Sequence, residues 1–516
     1  MITRTINAFN RCTTNNAINH SNSIRNLLMD ENCPHVVIIG SGLAGLAAAE
    51  LLSTCKEKVR VTILEANNRV GGRIFTRRLQ DNSPIELGAQ WFHGKVGNPL
   101  YDIAAKSDIA TRKSSYNDRF YTENETIAEQ SVGDSANDYF SSILERIYDR
   151  QLDDVPEHIQ NVGQFLDVEL KKYLDDIQDN FARAVSAKVF RYRDREESHT
   201  SGCSTLHDVH LRDFGEYLEL EGGDLAVIGG YDKVLQTIID RIPKEVIRLN
   251  QMVVKIKSSD NNELNGNDHT TEAPVVVECS DGNVYKADIV ICTVSLGILK
   301  NQAKVLFQPN LPAKKLDVID RLAFGVVNKV IFYYEKPFWP KNQFRRLVFL
   351  WNDEIDDKNC GCKLPLEDDE LWLKHVSSAH IILPCPNALL FWFVGEDAIR
   401  VEKLSEKQLS SYLTRVLKKF IVDKTIQEPD IVIRTKWHED PYVRGSYSYV
   451  NTNACGKDID VLAEPILDYQ GRPLILFAGE ATDRSYYSTA HGAYLSGQRE
   501  ANRILDTLQL EKKIQS

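Results

Sequence analysis

Between His35 and Arg73 an apolar run, a glycine turn, a small-residue helix, a second strand and an acid follow one another in an order that few folds accept. Val36, Val37, Ile38 and Ile39 form a short unbroken apolar segment, the pattern of a strand buried on both faces of a parallel sheet. Gly40, Gly42 and Gly45 then spell GxGxxG. The first glycine permits a tight turn, the second lets a pyrophosphate approach the backbone, and the third lets a helix starting near Ala44 pack closely. Unpaired N–H groups at that helix start face phosphate. A helix through Leu46 to Leu52 and a strand from Val59 to Leu64 follow. Glu65 stands about 20 residues past the last glycine, where a carboxylate accepts ribose hydroxyls. The fold class is α/β, with a Rossmann-like dinucleotide site at its start.

The residues after Glu65 favour FAD over a nicotinamide cofactor. Asn67-Asn68-Arg69-Val70-Gly71-Gly72-Arg73 is a second glycine pair bracketed by arginines, placed to meet the same dinucleotide from the other side. Fixed guanidinium charge there suits bidentate contact with a pyrophosphate.

At 516 residues, 42% of them hydrophobic, the chain exceeds one ordinary core, so two domains are expected. No run reaches the roughly 18 apolar residues of a membrane span. The ten cysteines are scattered, Cys360 and Cys362 being the only close pair, and no spacing suggests zinc or another metal. With no secretory signal they are expected to stay reduced, in a cytoplasmic protein, with the nucleus as a further location. The net charge of −11 disfavours nucleic acid and anionic membranes as partners. Residues 1–34 are polar, with Arg4, Arg11 and Arg25 and no acid before Asp30. They read as a disordered extension, with a mitochondrial presequence as the alternative. The final Lys513 to Ser516 is not a peroxisomal signal.

From about 130 to 200 the chain is charged and helical in pattern, with Phe140, Ile143, Leu144 and Ile147, then Phe165, Leu166 and Leu170, on apolar faces. Strands at Met252 to Ile256 and Val275 to Cys279 flank a polar loop, 258–273, and a second, acidic loop covers about 353–369. Pro473 to Phe477 reads as a late strand that returns to complete the first domain, followed by a helix from Ala493. The expected division is a discontinuous FAD-binding domain at 35–105, 225–300 and 450–510, interleaved with an α+β substrate-binding domain at 106–224 and 301–449.

Five ordered motifs now carry a resemblance: Gly40 to Gly45, Glu65 to Arg73, Gly88-Ala89-Gln90-Trp91-Phe92-His93-Gly94, Asn328-Lys329, and Leu476 to Thr482. Together they resemble the flavin-containing amine oxidases, within them the animal polyamine oxidase and spermine oxidase branch, over about 35 to 505. The resemblance implies the GR2-type flavin amine oxidase fold. It implies that Glu65 binds the adenosine ribose and Arg73 the pyrophosphate, that Gly88, Ala89, Gln90 and Trp91 line the flavin, and that Val253 meets the adenine through its backbone. Glu480 would reach the ribityl or phosphate region, and Thr489 and Ala490 the isoalloxazine edge. Ser446 stands where the monoamine oxidases carry a flavin-linked cysteine, which implies noncovalent FAD.

Lys329 lies in Gly325 to Tyr333, where period-two alternation sets it on one face with Val327, Ile331 and Tyr333. A lysine on an apolar face is costly unless paired or functional, and a strand at the sheet edge is the other explanation. The similar lysine of these enzymes holds a water against flavin N5. His93 is either a loop hydrogen-bonding residue or, as the resemblance implies, a group near the substrate nitrogen. Tyr447 and Tyr449 are candidates for an aromatic wall, and Glu216 and, less so, Glu219 for contact with a distal ammonium. The implied reaction is hydride transfer to flavin N5 from a carbon beside a secondary amine of spermine or an N1-acetylated polyamine, giving an aldehyde, a shorter amine and, with dioxygen, hydrogen peroxide. The alternatives are a lysine-demethylase-like or other amine oxidase, and a flavin-binding scaffold without turnover.

Overall fold

A computed structural model describes residues 33–515 except 57, 115–117, 124–128, 259–273, 340–344, 353–365, 367 and 422–424. Residues 1–32, and nearly all of the two expected loops at 258–273 and 353–369, lie outside the described residues. The apolar run becomes the strand His35–Ile39, every residue of it buried, flanked in parallel by Arg60–Leu64 on one side and Ile289–Cys292 on the other. Pro473–Phe477 adds beyond Ile289–Cys292, and Ile247–Arg248 beyond Arg60–Leu64. One antiparallel strand, Ile466–Leu467, closes the six-stranded sheet. Strands separated by hundreds of residues therefore share one sheet, which puts the glycine turn and the end of Pro473–Phe477 on the same C-terminal edge, the usual place for a ligand in a doubly wound sheet.

The helix Leu43–Thr54 begins one residue before the expected start at Ala44 and is buried along Leu43 to Ala49. Gly45 is required by its surroundings: a Cβ there would lie 2.0 Å from the Gly40 carbonyl oxygen. The last helix, Ala490–Gln515, lies against this one, with Gly497 so close that a Cβ would sit 2.0 Å from Ala44 O. The last helix and the cofactor turn are thereby packed into one core that includes Leu46, Ala47, Tyr494 and Ile504.

A second six-stranded sheet runs Ile431–Arg434, Val327–Tyr333, Ala388–Val394, Ser378–Ile381, Arg346–Leu350, Asp118–Thr122. All neighbours in it are antiparallel except the last pair. Helices Gln130–Tyr148, Val162–Asp175 and Asn180–Ser201 bury Phe140, Phe165 and Val189 with Phe120 and Val348 of this sheet. A small sheet, Trp91–His93 with Asp224–Val227 with Thr111–Lys113, straddles the limits at 105 and 224 expected from sequence and ties the two halves together.

Candidate active site

The C-terminal edge of the first sheet opens into a cavity of about 800 Å³ that continues between the two halves of the molecule. At the first sheet its wall holds Gly40, Gly42, Glu65, Arg73 and Val253, with Glu480, Thr489 and Ala490 from the end of the chain. Gly45 is absent from the wall because it works from behind, letting the helix close on the turn. Glu65 is buried and accepts from Ser41 N at 2.8 Å and Ser41 Oγ at 2.6 Å, and from Asn67 N at 2.8 Å, so its carboxylate is oriented before any ribose arrives. Arg73 Nη1 donates to Ser446 O and to Glu480 Oε1, both at 2.8 Å. Glu480 also accepts from Ser448 Oγ at 2.6 Å and Ser488 N at 2.9 Å. A carboxylate would repel a phosphate, and the Arg73 pairing is what lets Glu480 remain in this wall. Ser446 Oγ is committed to the backbone, accepting from Val327 N at 2.8 Å and facing Val327 O at the same distance, and offers no thiol for a covalent flavin link. A glycine turn at a helix start, an oriented acid and a fixed guanidinium are the donor set a dinucleotide needs, and the residues fit FAD.

The middle of the cavity is built around Lys329. Its strand pairs on both sides, with Trp392 directly opposite and Thr435 beyond, so the sheet-edge explanation does not hold. The ammonium is buried and donates to Glu86 O at 2.9 Å, Gly88 O at 2.7 Å and Gln90 Oε1 at 2.7 Å. It also lies 4.9 Å from the centre of the Trp392 ring, which stacks on Trp91 at 5.9 Å. Burial pulls the Lys329 pKa down from the ordinary lysine value, and the charge of Glu86 opposes the fall. Burial raises the Glu86 carboxyl in turn, against the hydrogen bond from Tyr231 N. Three acceptors around one nitrogen are complete only for an ammonium, so the geometry favours the protonated lysine.

Ahead of Lys329 the strand Trp91–His93 presents His93, whose Nδ1 is 2.9 Å from Asp224 Oδ1 on the paired strand. Donating Nδ1–H to that carboxylate leaves Nε2 as the acceptor of the neutral ring. Asp224, Glu219 and Glu197 line the same cavity. Burial and the nearby Asp224 charge raise the Glu219 pKa. Burial pushes the Glu197 carboxyl up to about 7, with Glu219 adding to the rise and Arg193 opposing it. Ser201 Oγ, at 3.3 Å, is a long and weak partner for Glu197. Tyr447 and Tyr449 are in the wall too, and the Tyr447 hydroxyl donates to the His199 carbonyl, which fixes its ring.

Glu216 is a correction to the sequence reading. It is not in the cavity wall, because Arg484 holds it from Nε at 2.8 Å and Nη2 at 2.9 Å, with Arg150 at 3.4 Å. Those bonds keep its carboxyl below the usual range, and they join the segment after the helix Asn180–Ser201 to the stretch before the last helix. Glu219, three residues on, reaches the cavity instead. Sequence reasoning also missed Glu197, which reads as one more charge in Arg191 to Glu197, and Trp392, which only strand register sets opposite Lys329. Asp224 had no local signal at all.

With its dinucleotide cradle and its buried lysine facing one cavity, the chain has the plan of a flavin-dependent amine-oxidising enzyme. Its sequence matches the family of flavin containing amine oxidoreductases over residues 43–505, so the chain belongs to that family and FAD is its cofactor. It is 31% identical over 501 residues to the peroxisomal N(1)-acetyl-spermine/spermidine oxidase of Bos taurus, covering 92% of this chain and 94% of the relative. It is 32% identical to the Homo sapiens protein of the same name, over 92% of this chain and 95% of the relative. The lysine-specific histone demethylase 1 homolog 2 of Oryza sativa subsp. japonica is 29% identical over 91% of this chain, which spans 57% of that protein. Among the described residues no helix is long and apolar enough to cross a membrane, and no group of side chains could hold a metal ion.

Proposed function

We propose that this chain is a polyamine oxidase that acts at a secondary amine of spermine or an N1-acetylated polyamine and yields an aldehyde, a shorter amine and, with dioxygen, hydrogen peroxide. The observation that carries the reading is the row of carboxyl groups Asp224, Glu219 and Glu197 in the wall that also contains Lys329 and His93. Glu197 and Glu219, whose pKa values are raised by burial and by neighbouring carboxylates, are stabilised when a cation enters beside them. A substrate with several ammonium groups along one chain matches a wall with these three carboxyl groups better than a monoamine does.

Bound FAD supplies the two-electron acceptor. The protein supplies orientation and proton handling. His93, with Nδ1–H donated to Asp224, offers Nε2 to take the proton of the reacting nitrogen, because oxidation beside nitrogen requires the free amine. Trp91, Trp392 and Tyr447 give the chain between charges an apolar, aromatic channel and keep water away. Arginines also line the cavity, but Arg346 spends Nε and Nη2 on Asp118 at 2.8 and 2.6 Å and Nη1 on Glu196 at 3.0 Å. That leaves it a poor clamp for a substrate carboxylate.

The test is to mix the FAD-loaded protein, without oxygen, with spermine, N1-acetylspermine, spermidine and a monoamine in turn, and to follow the flavin's visible absorbance. Rapid bleaching by one polyamine, and slow or no bleaching by the monoamine, is the expected result. A protein that stays yellow with every polyamine refutes the proposal.

A further inference from the structure

Lys329 has three protein acceptors, and they are not alike. Glu86 O and Gly88 O are main-chain atoms. The second is held by a turn with no room to shift, since a Cβ on Gly88 would sit 1.7 Å from Arg73 O. The third, Gln90 Oε1 at 2.7 Å, belongs to a primary amide on a rotatable side chain in the cavity wall. A primary amide carries an acceptor on one side and a donor on the other. Turned one way, its oxygen takes the third N–H of an ammonium. Turned over, its NH₂ donates to the lone pair that appears when the lysine loses that proton. The two carbonyls can follow neither change. While all three N–H groups are donated as they stand, Lys329 has none left for a water, and Gln90 is the one partner that can give its place up.

We infer that Gln90 is a positioning residue that follows and sets the proton on Lys329, its amide oxygen holding the ammonium and its amide NH₂ receiving the amine. Other charges around Lys329 are few. Glu86, on the strand Pro84–Glu86, is the charge that bears on it, and Asp232 stands behind Glu86, paired to Arg78. Arg434, on the neighbouring strand, is turned to Val401 O at 2.9 Å, and the strand Ala388–Val394 carries no charge. His93 is engaged with Asp224. Glu86 is thus the one titrating group that shares its proton equilibrium with Lys329, and a change at Gln90, which touches the lysine directly and not Glu86, is read as a shift in the titration of that pair.

The experiment uses the FAD-loaded protein labelled with ¹³Cε-lysine, the Lys329 signal being assigned by its loss in Lys329→Met. The chemical shift is followed between pH 5.5 and 10.5. In Gln90→Leu, which keeps the bulk and removes the acceptor, the midpoint should fall by about one unit, tenfold in proton affinity, because a bond to a charged donor is lost. In Gln90→Glu, a nearly isosteric change that retains an acceptor and adds charge, it should rise by at least about as much. The pH profile of flavin bleaching should move with each. A structural role alone would change FAD affinity or melting temperature and leave the titration curve where it was. Curves that coincide for the wild type and both variants, with or without a midpoint in the range, overturn the inference. The readout is independent of which amine the enzyme oxidises, so a failed polyamine assay and a failed titration remain separate results.

Discussion

Glu197→Gln separates the stability of the fold from the binding of substrate, and the structure gives a size for both. The Glu197 carboxyl is pushed up to about 7 from an ordinary value of 4.5 by burial, and the residue is 8% exposed. Between those two values the folded protein binds more protons than the unfolded chain. Stability contributed by this group is therefore complete at low pH and falls as pH rises from about 4.5 through about 7. At about 1.4 kcal/mol per unit the total is about 3 kcal/mol. Glutamine removes that loss. The unfolding entropy of a chain this long is about 1 kcal/mol/K at roughly 2 cal/mol/K per residue, so the variant should melt about 3 °C higher at pH 8, with no gain at pH 4.5. Binding should move the opposite way. At pH 7 the free carboxyl is about half protonated, and an ammonium beside it expels that share, so binding of a non-oxidisable diamine such as 1,8-diaminooctane should release about half a proton. Calorimetry in two buffers of different ionisation enthalpy measures this, and the variant should bind more weakly with a smaller release. Equal proton release in both proteins, or a melting difference that does not depend on pH, would refute the assignment of Glu197 to the cation path.

Three further outcomes follow from the geometry. Lys329→Met should slow anaerobic flavin bleaching by about 100-fold or more while FAD stays bound; an unchanged rate removes the lysine from the chemistry. Glu216→Gln should cost about 1–3 kcal/mol in urea unfolding, from the bonds to Arg484, and leave the KM for polyamine near the wild-type value, since its carboxylate is outside the cavity. A large KM change with unaltered stability would return Glu216 to the substrate. Gly45→Ala should abolish FAD retention or soluble expression, because the new methyl meets Gly40 O at 2.0 Å and the helix must move off the turn; a yellow, stable Gly45→Ala protein contradicts that packing.

Cofactor chemistry was legible in the sequence because it is local. Gly40 to Gly45 lie within one strand, helix, strand unit, Glu65 directly follows its second strand, and Arg73 comes a few residues later. Lys329 was legible for a related reason: a charged residue in an alternating apolar strand is an anomaly wherever the strand lies. Local pattern says nothing about which distant elements meet. Glu216 and Glu219 are both acids in one short segment, and only the position of Arg484, 268 residues later, decides that the first is tied down and the second reaches the cavity. Glu197 looks like a solvated charge in a polar helix until three helices close over the second sheet and bury it. Trp392 and Gln90 acquire their parts from strand register and a loop crossing, which bring them to one lysine from either side. The sequence by itself determined the cofactor and the class of chemistry, whose requirements are met by neighbours along the chain. The tertiary structure decided which carboxyls are desolvated and which partners control the lysine, because burial and charge pairing depend on neighbours in space.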